Sequence, residues 1–246
     1  GGSPFTISQD TIYTFTQTGT TFSLSDGANT YTGTKAVITW DNDATLANVN
    51  YGIPGSDASG MLGTCSTTSC PHRYKYGTFE IFVSAQKPDN SVTQDLQAVN
   101  ILKLNTEYLY GLGEMPSSWN VSALAAQATA GRTYALRKMQ AYPNADRDDC
   151  GCHIFSDTSD QNFVGFAKEY FSYGSNWVNG VNTGVSGTSG PVITYNGEVI
   201  AGHYSSSSGG LTQPASEWTT TAYPYEVSVD DHWAHLPAVN NGKTSW

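Results

Sequence analysis

The chain has 246 residues, enough for one large or two small domains with a real core. Charged residues make up 13%, the net charge is −10 and the pI is near 4.7. That balance speaks against nucleic acid as a partner, because phosphate contacts need clustered Lys and Arg. No apolar run approaches the roughly 18 to 20 residues that cross a bilayer, so no transmembrane segment is expected here.

Cysteine usage bears on the compartment. Cys65, Cys70, Cys150 and Cys152 make an even set in a lysine-poor chain rich in Ser, Thr and Tyr. That favours disulfides and an extracytoplasmic setting over free thiols in a cytosol. The opening Gly1-Gly2-Ser3 reads as a cloning scar, so a removed secretion signal is expected.

In chain order, "TIYTFTQ", "TFSLS" and "AVITW" predict short strands, with "SDGAN" and "DNDA" as turns. Residues 51–72 are rich in Gly, Ser, Thr and Cys and predict a loop. "YGTFEIFVSA" alternates at period two, as a half-buried strand does, and "PDNS" turns the chain. "LQAVNILKLNTEYLYG" supplies another strand.

A long helix is expected over about 118–141, capped by Ser117 or Ser118 with Pro116 just ahead. Its apolar stripe is Val121, Leu124, Ala125, Ala128, Ala135, Leu136 and Met139. Position 132 belongs to that stripe, yet it is arginine. "NFVGFAKE" is strand or short helix by periodicity. "PVITYNGEVIAGHY" predicts a hairpin on an Asn196-Gly197 type I′ turn, and it delivers His203 and Tyr204 to a "SSSSGG" loop. The expected fold class is α+β, mostly antiparallel strands with one long helix. Residues 1–72 form a β-rich N-terminal region of unassigned role, and residues 73–246 form the core.

Four places could carry chemistry. Glu114 sits just before the helix among Gly113, Met115, Pro116 and Trp119; apolar neighbours favour the neutral carboxyl that a general acid needs. The alternative is a carboxylate that only complements the helix dipole. Arg132 on an apolar face needs a partner or must snorkel. "GHYSSSSGGLT" could present hydroxyls and N–H groups to a polar ligand, or be a solvated loop. A serine hydrolase is disfavoured because no G-x-S-x-G elbow occurs. "CGCH" offers Cys150, Cys152 and His153 as zinc ligands, against a disulfide.

The stretch "YLYGLGEMPSSWNVSALAAQATAGRTYAL" resembles the signature of the SpoIID/LytB family of cell-wall proteins. The matching residues include Tyr108 to Gly111, Glu114-Met115-Pro116, Ser118-Trp119, Ala126-Gln127-Ala128 and Arg132 to Ala135. The likeness extends through "RYKYGTFEIF", "DTSDQNFVG", "TYNGEVIAGHYSSSSGGLT" and "EVSVDDHW", roughly residues 73 to 233.

That resemblance implies a peptidoglycan lytic transglycosylase, extracellular or at the cell wall, cutting MurNAc–GlcNAc bonds with Glu114 as acid. It implies substrate contacts from Arg132, Gln161, Tyr204, Ser206 and Ser208. A lytic transglycosylase uses the sugar's own 6-hydroxyl as nucleophile, so one carboxyl suffices where a hydrolase needs two. Arg132 could orient Glu114 or grip a muramic lactyl carboxylate. The implied partners are glycan strands and other cell-wall hydrolases, since LytB-type members enhance an amidase.

Some members bind zinc through C-D-T-T-H-C. The corresponding stretch here is "SDTSDQNF", with Ser156 and Asp160 at ligand positions, so no cofactor is expected. A glycosidase on another polysaccharide would need a second carboxylate, with Asp157 or Asp230 as candidates. The natural chain is expected to continue past Trp246.

Overall fold

The computed structural model describes residues 6, 13–40, 47–50, 60–62, 73–84, 95–147, 150–186, 189–221 and 223–235. The expected turns at 41–44 and 88–91, together with Cys65 and Cys70, lie outside these residues.

The architecture is mixed α+β. Strands β1 (Tyr13–Thr18), β2 (Thr21–Ser25), β3 (Thr30–Gly33), β4 (Lys35–Ile38), β5 (Ala47–Asn50) and β6 (Gly60–Leu62) come first. They are followed by β7 (Arg73–Tyr74), β8 (Thr78–Val83) and β9 (Leu96–Ile101). Helices α1 (Val121–Ala141), α2 (Ala167–Tyr170) and α3 (Gly174–Asn182) precede a hairpin of β10 (Thr194–Tyr195) and β11 (Glu198–Val199).

All described strand pairs are antiparallel, in sheets ordered β3-β2-β1-β6-β5-β7, β4-β8-β9 and β10-β11. Pairing of β4 with β8 and of β5 with β7 ties the N-terminal strands to those after residue 72.

Alternation at period two buries Tyr13, Phe15, Phe22, Leu24 and Ile81 in one cluster. The stripe of α1 works at helical period. Leu124 and Ala128 pack with Trp177 and Val181 of α3 and with Leu109 and Leu112. Trp177 is fully buried, and its indole Nε1 donates to Leu109 O at 2.9 Å, which pays the polar debt of that burial.

Several local expectations shift. The helix starts at Val121, not 118, because Pro116–Trp119 forms a turn (Trp119 N to Pro116 O, 3.3 Å). Asn120 therefore takes the capping role in place of Ser117 or Ser118, accepting from Ser122 N at 2.9 Å. The strand read from "LQAVNILKLNTEYLYG" ends at Ile101, and Leu104–Tyr108 form a π-helical turn. "NFVGFAKE" is both things at once: Phe163 bridges Leu112, then α2 begins. The I′ hairpin forms as expected, with Asn196 at φ 51° and Gly197 at φ 85°.

Candidate functional site

Glu114 is placed by a pairing of two chain segments. Gly113 N donates to Asn162 O at 2.7 Å and Val164 N to Gly111 O at 2.8 Å. The approach is close enough to require the glycines. A Cβ on Gly111 would lie 2.5 Å from the Phe163 ring, and one on Gly113 would lie 2.9 Å from Val164. This bridge aims Asn162 N at the Glu114 carboxylate, with Oε1 accepting at 2.6 Å.

The opposite wall comes from the segment after the hairpin. It crosses α1 at Gly202, where a Cβ would sit 3.2 Å from Tyr134 N. Two residues later it brings the Tyr204 hydroxyl close to Glu114. Gln161 is fully buried beneath. Its Nε2 donates to the Tyr204 hydroxyl at 2.9 Å, and its Oε1 accepts from the Tyr108 hydroxyl at 2.6 Å. A hydrogen-bonded chain Tyr108–Gln161–Tyr204 results, with Glu114 close to its outer end.

Burial raises the Tyr204 phenol above its ordinary value, and the adjacent Glu114 charge adds to this. Tyr108 is raised well above its ordinary value by burial first, then by Tyr204 and Glu114. Its proton therefore stays in place at neutral pH. Gln127 on α1 approaches Tyr204 as well. Its Nε2 is buried without a hydrogen-bond partner.

Lys168 of α2 closes the other flank. Its Nζ donates to Met115 O and lies 4.9 Å from the Trp177 ring centroid. Burial lowers its pKa, and the charge of Glu114 pushes back. A cleft of about 710 Å³ lies elsewhere, between β9 and residues 150–157; Tyr108 borders it, and Glu114 does not.

Asp160 organises the floor. Its carboxylate accepts from the Tyr134 hydroxyl (2.6 Å) and Phe155 N (2.8 Å). It also pairs with Lys138 at 3.0 Å and with Arg147. Asp160, where the resemblance places a zinc ligand, is thus held by cationic side chains of the chain itself. Cys150 and Cys152 are bonded to each other, so neither offers a thiolate. These residues do not fit a zinc site of the C-D-T-T-H-C kind.

Of the expected site residues, Glu114, Gln161 and Tyr204 come together. Arg132 does not join them. Its guanidinium is buried at 1% exposure, with Nε donating to Asn105 Oδ1 (2.9 Å) and Nη1 to Pro191 O (3.0 Å). Its Nη2 reaches Val181 O at 3.4 Å, at the negative end of α3. The expected grip on Glu114 or on a lactyl carboxylate gives way to a structural bond between α1 and α3.

Ser208 is likewise occupied, donating to Asp231 Oδ2 at 2.7 Å and accepting from Gly210 N. Ser206 is exposed on the loop. Asp157 accepts from Ser159 N at 2.7 Å, and the backbone of Asp230 bridges Leu211. Tyr108, Gln127, Tyr134 and Lys168 were missed as site residues. The first three lie inside the family-like stretch, where they read as helix and strand matter.

A mixed α+β frame holding one carboxylate against a tyrosine–glutamine chain defines the class of site. Residues 92–195 match the model of the family described as SpoIID, stage II sporulation protein. An amidase enhancer of Bacillus subtilis (strain 168) is 33% identical over 118 residues, covering 48% of this chain and 14% of that protein. Stage II sporulation protein D of Bacillus amyloliquefaciens is 32% identical over 132 residues, and that of B. subtilis (strain 168) is 30% identical. Each alignment covers 52% of this chain and 38% of the relative, so the chain spans well under half the length of these relatives.

Proposed function

We propose that the chain is a peptidoglycan lytic transglycosylase, extracellular or wall-associated, with Glu114 as general acid and base. The observation that carries this is the placement of Glu114, whose Oε1 accepts from Asn162 N at 2.6 Å with the Tyr204 hydroxyl close by. The nearby buried carboxylate, Asp160, has both oxygens engaged. One acid must therefore serve both halves of the reaction. The Glu114 proton passes to the glycosidic oxygen as the C1–O bond breaks. The 6-hydroxyl oxygen then bonds to C1 and returns its proton to Glu114, leaving a 1,6-anhydro end. Tyr204 and Asn162 hold the carboxylate that exists between these two transfers.

Digestion of purified glycan strands, with and without their peptides, tests this by mass spectrometry. Products ending in 1,6-anhydro-MurNAc are expected from the native chain and not from Glu114→Gln. Reducing ends would establish a hydrolase instead. The second reading is a glycan-binding enhancer of a partner amidase, favoured by the name of the B. subtilis relative. Binding to insoluble peptidoglycan without product release would select it.

A further inference from the structure

Beside the Glu114 site runs a row of aromatic rings. Tyr134, on the floor, lies 6.4 Å from the His203 ring centroid. His203 meets Trp218 edge-on at 4.9 Å and 88°, and meets Tyr223 at 5.3 Å. Tyr223 and Tyr225 are 5.8 Å apart, and Tyr225 and Tyr195 are 5.4 Å apart. The row begins next to Tyr204, whose hydroxyl is close to Glu114. It is held rather than loose: Glu226 Oε1 meets His203 Nδ1 at 2.8 Å, and the Tyr225 hydroxyl accepts from Ala201 N at 3.0 Å.

A row built this firmly would ordinarily be core. Yet Trp218 is 50% exposed and Tyr195 42% exposed. Rings fixed by neighbours and left facing water mark a binding surface. A polyhydroxylated sugar ring suits it. The C–H face of a sugar lies on the negative face of an indole or phenol, while its hydroxyls reach the surrounding water and Glu226.

We infer that the Trp218–His203–Tyr223–Tyr225–Tyr195 row is an extended glycan-binding platform, taking sugar units distal to the bond held at Glu114. It rests on the reading of Glu114 as the cleavage centre, and it adds a requirement for chain length. Short oligosaccharides would occupy the Glu114 site alone; longer ones would also lie along the row.

The test uses the whole chain and N-acetylglucosamine–N-acetylmuramic acid oligomers of increasing length. Binding is measured by calorimetry in Glu114→Gln, and turnover in the native protein. With Trp218→Ala added, affinity for long oligomers should fall roughly tenfold or more, with affinity for the shortest binder unchanged. Trp218→Phe should restore most of the loss, since it keeps a ring at the same exposed place. Equal losses at all lengths, or none, would overturn the platform and leave the transglycosylase reading standing if native cleavage persists. Cleavage absent with length-dependent binding retained would sink the transglycosylase and keep the platform. No glycan binding at any length would reject both.

Discussion

At the scale of single residues, Glu114 and Arg132 have opposite fates. Glu114 is partly exposed and accepts from Asn162 N, while Arg132 is consumed inside. Its three described hydrogen bonds join Asn105, Pro191 and Val181, and a Cβ on Gly190 would lie 2.6 Å from its Nε. That crowding holds the guanidinium plane, so lysine cannot replace it; an ammonium is a point charge without the fork. Arg132→Lys should cost about 3 kcal/mol of unfolding free energy, as lost charge-assisted hydrogen bonds do, while leaving the KM for glycan unchanged. A raised KM with unaltered denaturation would return Arg132 to the substrate.

At the scale of elements, the site depends on how α1 meets α3 and the Leu109–Leu112 segment. Gly180 sets the helix contact. A Cβ there would lie 2.6 Å from Leu124 Cβ, and Leu124 is fully buried. Gly180→Ala should destabilise by about 1 to 3 kcal/mol through overpacking. Chemical denaturation checks this, and a neutral result would mean that the helices separate freely. Such element-level facts divide in how far they were legible beforehand. The β1 and β2 strands, the I′ hairpin and α1 carried local signals: period two, an Asn-Gly pair and an apolar stripe. The α3 helix carried little, since "GSNWVNGVN" is poor in helix formers and forms because Trp177 and Val181 are buried against α1. The site was half legible. Glu114 and Tyr204 belong to a recognisable pattern. The Asp160 hub depends on Tyr134, Lys138, Phe155 and Arg147 meeting in space, which no local spacing encodes.

At the scale of the whole molecule, the tyrosine-rich floor ties stability to alkaline pH. Burial raises Tyr108, Tyr134 and Tyr204 above the ordinary phenol value, and in Tyr134 the nearby Arg147 opposes the shift. Unfolded, these phenols ionise near pH 10. The folded state then holds protons that the unfolded state has released, so their contribution is complete below pH 10 and is lost as pH rises beyond it. Lys168 acts in the opposite sense. Its lowered value penalises the folded state at lower pH, and that penalty lifts as pH climbs toward the ordinary lysine range. Three raised phenols outweigh one lysine, and a chain already at −10 gains further self-repulsion as phenolates form. Unfolding free energy should therefore fall between pH 10 and 12, with a shallower fall in Tyr108→Phe. A flat or rising course over that interval would show that the phenols do not govern the alkaline limb. Below pH 10 the Tyr204 hydroxyl keeps its proton. A change in activity near neutral pH would then have to come from groups other than these phenols.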